Sequence, residues 1–70
     1  MKYITTDAGE VIMFSTNLIH AAVAAKLGVV PVSAGFVKVY GQVMASGESE
    51  SLGLKAKPND NEMIEAHLSF

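Results

Sequence analysis

The segment Leu18–Leu27 (LIHAAVAAKL) constrains this chain most, because it is apolar on almost every side of the helix it would form. At 100° per residue, Ile19, Val23 and Leu27 make a bulky side, with Leu18 and Ala22 toward its edge. Ala21, Ala24 and Ala25 make a smooth side roughly opposite, and only His20 and Lys26 are polar. A surface helix normally keeps a polar face, whereas a helix apolar all round expects burial nearly all round. A chain of 70 residues has little material to supply that burial, since domains of this size bury only about 60% of the surface exposed when unfolded. Small domains therefore lean on a disulfide, a metal or a partner chain. With no cysteine, disulfides and thiolate metal sites are excluded, and a partner chain is left.

The expectation is a homodimer or another protein complex, with Ala21, Ala24 and Ala25 as the interface. Solvent-exposed alanine, the best helix former, is the plain alternative for those positions. Lys26 lies near the bulky side and must snorkel from the last turn, where a cation suits the helix dipole.

The remaining elements follow from local patterns. Lys2–Thr6 and Glu10–Phe14 are short runs rich in β-branched and aromatic residues, separated by Asp7-Ala8-Gly9. They predict a β-hairpin whose three-residue loop ends on a left-handed glycine. Ser15 is placed to cap the following helix, with Phe14 and Ile19 spaced as a hydrophobic staple. Gly28 stands where a left-handed helix stop belongs. Ser33–Tyr40 reads as a strand, Gly41-Gln42 as a tight turn, and Val43–Glu50 as the returning strand. Asn59 and Glu62 have capping-box spacing, with Met63, Ile64, His67 and Leu68 on one face of a short second helix. The fold class expected is α+β, one domain over residues 1–70 in the order ββαββα. Two hairpins would form one antiparallel sheet, with the helices covering one of its faces.

Composition narrows function mainly by exclusion. Half the residues are hydrophobic and 17% are charged, the reverse of a disordered composition. A net charge of -2 gives no electrostatic pull toward nucleic acid or anionic membrane. Leu18–Val37 is mostly apolar, but a spanning helix there would have to accommodate His20, Lys26, Gly28, Pro31, Ser33 and Gly35. The first ten residues lack the apolar run of a signal peptide, so a cytoplasmic location is expected.

No catalytic constellation is complete. Gly47-Glu48-Ser49-Glu50-Ser51 approaches a nucleophile elbow but ends in serine, with no helix directly after it. His20 and His67 do not stand in a metal-binding pattern such as H-E-x-x-H. His67 suits the last turn of a helix, and His20 a polar helix edge. Lys55 and Lys57 do not have phosphate-loop spacing, and Glu48 and Glu50 offset their charge. No catalytic, metal or cofactor site is expected, and the chain reads as a non-enzyme.

Two resemblances remain. Ala22–Val29 (AVAAKLGV) resembles the first helix and turn of helix-turn-helix DNA-binding units. That resemblance implies a recognition helix over residues 31–40, but this run favours a strand and the chain has no arginine. Pro31–Val37 (PVSAGFV) and Gly47–Asp60 (GESESLGLKAKPND) resemble stretches of small uncharacterised proteins of bacteria and their phages, which implies an origin and no activity.

Overall fold

The computed structural model describes residues 1–69. Its first element is the expected hairpin, β1 (Lys2–Thr6) and β2 (Val11–Phe14), paired antiparallel with Lys2 opposite Phe14 and Thr5 opposite Val11. Thr6 closes the loop: its carbonyl accepts the Gly9 N–H at 3.0 Å, and its own N–H donates to the Glu10 carbonyl at 3.0 Å. Gly9 takes φ 79°, the left-handed position expected of it.

The first helix, α1 (His20–Leu27), starts later than Ser15. The Ser15 hydroxyl accepts the Asn17 N–H at 3.1 Å and its carbonyl accepts the Leu18 N–H at 3.1 Å, so Ser15 opens a turn. Ile19 stands at the helix N-cap without a capping side chain and is 59% exposed, so the Phe14–Ile19 staple is not made. The cap comes from far along the chain, where the Ser51 hydroxyl accepts the Ala21 N–H at 3.1 Å. Gly28 ends the helix as expected, at φ 67°, with its N–H on the Ala25 carbonyl and the Val29 N–H on that of Ala24.

The chain continues into β3 (Pro31–Val39) and β4 (Val43–Ser46). The helix-turn-helix resemblance ends here, because a strand occupies the place of the recognition helix. Gly47, at φ 80°, turns the chain after Ser46, so the fourth strand stops short of Glu50. Glu48–Ser49 (β5) instead pairs with Leu54–Lys55 (β6) in a separate small hairpin. The order ββαββα therefore gains two short strands before the last helix, α2 (Asp60–Leu68). Asn59 makes no capping bond with its side chain, and the predicted capping box is replaced by contacts of Asp60.

The main sheet has the order β2-β1-β3-β4 and is antiparallel throughout. Neighbouring residues of β1 point to opposite faces, and both faces are buried. Tyr3 packs with Val11, Val37, Val43 and Ile64 of α2, while Ile4 packs with Phe14, Ala34 and Ala24 of α1. The helices therefore lie on opposite faces of the sheet, not on one. The β5–β6 hairpin joins the α1 side through Leu52 and Leu54.

Candidate functional site

On the Ile4 face, the N-terminus of α1 meets the β5–β6 hairpin over a cleft of about 420 Å³. Lys2, His20, Phe36, Glu48, Ser49 and Ser51 line it, which brings His20 beside the serines of the near-miss nucleophile motif. His20 is buried, and its Nε2 donates to the Gly35 carbonyl at 2.9 Å, since a carbonyl can only accept. Its ring stands edge-on between Phe14 and Phe36, with centroids 5.4 and 5.9 Å away. Gly35 has no room for a side chain, because a Cβ there would stand 2.6 Å from the Ser46 carbonyl oxygen. His20 thus pins the start of α1 to the middle of β3.

The hydroxyls nearby already have partners. Ser49 accepts the Leu52 N–H at 3.3 Å and shares a 3.3 Å contact with Ser51, whose own oxygen caps α1. Among the described residues, no hydrogen bond joins His20 to a serine or carboxylate. Nor, among those residues, do three or more His, Asp or Glu gather as metal ligands. His67 lies apart, at the C-terminal turn of α2 beside Gly9, Val11 and Met63.

The Tyr3 face holds a polar cluster that the sequence reading missed. Asp60, at the first turn of α2, is almost wholly buried. Its Oδ2 accepts the Tyr3 hydroxyl at 2.5 Å and the Lys57 N–H at 2.9 Å, and its Oδ1 accepts the Ser33 hydroxyl at 3.0 Å. Ser33 in turn shares a hydrogen bond with Thr5. Burial and then the Asp60 carboxylate push the Tyr3 hydroxyl well above its ordinary pKa of 10.0. The cluster ties three segments together: β1, β3 and the start of α2. Every buried polar side-chain atom among the described residues has a partner, as native interiors require.

What α1 leaves exposed is different from what its helical wheel suggested. Ala24 is 5% exposed and packs against Ile4, Phe14 and Ala34, so it belongs to the chain's own core and cannot be an interface residue. Ala21 is half-buried beside Ser51, and Ala25 is exposed. The bulky flank is the one turned outward: Ile19 is 59% exposed, Leu27 55% and Leu18 49%, with Val23 half-buried. The physical reason is fit. Small residues let the helix settle closely over Phe14 and Ile4, which fill the space, while larger ones would hold it off. Leu18, Ala22, Val23, Lys26 and Leu27 surround an apolar groove of about 310 Å³ on this flank.

A second exposed apolar group, Val39, Tyr40 and Met44, sits at the β3–β4 turn and along β4. The edge of β4 is occupied here by its own chain, because the Asn61 side-chain carbonyl accepts the Ala45 N–H at 2.7 Å. No protein-family model, curated protein or solved structure matches this chain. Among the described residues, no helix is long and apolar enough to cross a membrane.

Proposed function

We propose that this chain is a non-enzymatic assembly module that works by binding another copy of itself, through the outward flank of α1. The observation that carries this reading is the exposed apolar surface of α1 and the turn that leads into it, where Leu18, Ile19 and Leu27 are 49%, 59% and 55% exposed. Single exposed apolar residues are ordinary, but a contiguous apolar surface marks a contact site. The commitment of the cleft's serine hydroxyls to backbone N–H groups supports a structural rather than a chemical use of that region. The cysteine-free composition suits a reducing compartment such as the cytoplasm.

The experiment compares two charge substitutions on the same helix, read as solution mass by light scattering behind a sizing column. Leu27→Glu places a carboxylate on the exposed bulky flank and is expected to give a folded monomer. Ala25→Glu lies on the exposed alanine side and is expected to leave the dimer intact. The reverse result would move the interface to the alanine side. A monomeric parent chain would overturn self-association altogether.

A further inference from the structure

We propose that two copies join edge to edge through β2, a strand geometry that deepens and rests on the self-association reading above. The hydrogen-bond pattern of the hairpin fixes which way each backbone group points. Thr6 donates to the Glu10 carbonyl, and this pair continues the register of Thr5 with Val11 and Ile4 with Ile12. In an antiparallel ladder, bonded and non-bonded pairs alternate. Ile12 therefore exchanges its backbone bonds with Ile4, while the N–H and C=O groups of Val11 and Met13 point away from β1, off the edge of the sheet. Among the described residues, no loop or side-chain hydrogen bond reaches the Val11 or Met13 N–H.

The two edges of the sheet are treated differently. At β4 the outward Ala45 N–H is taken by Asn61, a device that blocks pairing with another chain. β2 reads VIMF, with no proline, lysine or bulge to discourage a further strand. Its side chains pack inward to varying degrees, so what it offers a partner is mainly its backbone edge.

A second copy fits this edge through a twofold axis at Ile12. Val11 then lies opposite the partner's Met13, and each exchanges both N–H···O=C bonds with its mate. Glu10, the carboxylate bordering β2, falls opposite the partner's Phe14, so like charges do not meet across the seam.

The helix flank supplies the second reason. On the Ile4 face, Ser51 ties the Ala21 side of α1 toward the β5–β6 hairpin. The opposite side carries Val23, which packs against the same cluster as Ile12 of β2, while Ile19 at the helix N-cap stands over the cleft beside Phe36 and Glu48. Edge pairing brings the Val23 side toward its symmetry mate, so strand and helix are covered together. An isolated peptide strand would satisfy the edge but leave the apolar flank in water. A standard interface takes about 800 Å² from each partner, under a fifth of this chain's 4490 Å² surface.

The test uses the absence of native cysteine. Facing residues of a non-hydrogen-bonded antiparallel pair have Cα atoms about 4.5 Å apart, within disulfide reach. Ile12→Cys, oxidised with glutathione disulfide, is expected to give a covalent dimer that dithiothreitol reverses, whereas Met44→Cys on the other edge gives none. Amide exchange on the unmodified chain provides a reading that needs no substitution. The Val11 and Met13 N–H groups should exchange at least about 100-fold more slowly at dimer-forming than at dimer-dissociating concentrations. A dimer by mass without the Ile12→Cys crosslink and without that protection overturns β2 pairing while leaving self-association intact. A crosslink through Met44→Cys would place the contact on β4 and overturn it as well. A monomer at every concentration overturns both.

Discussion

Replacing Asp60 with alanine is the sharpest test of how α2 is held to the sheet. The substitution removes the acceptor of the Tyr3 hydroxyl, the Ser33 hydroxyl and the Lys57 N–H. These losses are unequal. Tyr3 is wholly buried and finds no replacement, and leaving such a donor unsatisfied costs about 1–3 kcal/mol. Ser33 keeps its bond with Thr5, and the Lys57 N–H is only part-buried, so it can turn to water. Losing a carboxylate at a helix N-terminus adds about 0.5 kcal/mol. The expected loss is about 1.5–3.5 kcal/mol. A chain of this length has on the order of 4–10 kcal/mol of stability in all, so the variant should be near its limit.

The assay is urea unfolding followed by circular dichroism, at one fixed protein concentration because self-association contributes to apparent stability. Tyr3→Phe should cost less, since Asp60 keeps its other donors. The double variant should fall short of the sum of the singles by about 1–2 kcal/mol, the coupling expected of direct hydrogen-bond partners. An Asp60→Ala variant within about 0.5 kcal/mol of the parent, the range of an ordinary surface substitution, would refute the reasoning. So would strictly additive effects.

Two further perturbations follow from the same geometry. Gly35→Ala should unfold the chain or cost more than about 3 kcal/mol, the overpacking range and beyond, because the neighbour a Cβ would meet is the Ser46 backbone carbonyl and not a movable side chain; a thermal melt within a few degrees of the parent would contradict it. Raising the pH should weaken the fold through Tyr3. Its folded pKa lies above the ordinary value of 10.0, so the unfolded chain loses that proton first. The contribution is complete below pH 10 and is lost as pH climbs above it, at up to about 1.4 kcal/mol per pH unit. Tyr3→Phe should show a shallower alkaline decline in urea midpoint, and an equal slope in both proteins would argue against the assignment.

The parts of this fold legible in the sequence are those specified by neighbouring residues. Gly9 ending the first hairpin loop and Gly28 ending α1 each act within a few residues of their own position, so local pattern located them. The start of α1 was not legible because its cap is Ser51, distant in sequence, while the nearby candidate, Ser15, is engaged in a turn. The extra β5–β6 hairpin was hidden by its brevity, two residues per strand. The buried face of α1 follows neither side of the wheel: it centres on His20 and Ala24, with Ala21 and Val23 half-buried on its two borders and Ala25 exposed. That choice depends on the sheet below, where the Gly35 carbonyl and the Phe14 and Phe36 rings receive His20, and Ile4 and Phe14 leave room only for a small residue at Ala24. Asp60 reads in sequence as an acid suited to a helix N-terminus. Its burial between Tyr3 and Ser33 depends on the pairing of β1 with β3, which places Thr5 opposite Ser33.

Self-association is the central claim, and solution mass across a wide range of protein concentration tests it most directly. The account predicts a species of twice the 7.4 kDa chain mass, dissociating on dilution. A mass that stays at 7.4 kDa up to the solubility limit would contradict it, and would leave Leu18, Ile19 and Leu27 exposed on a stable monomer.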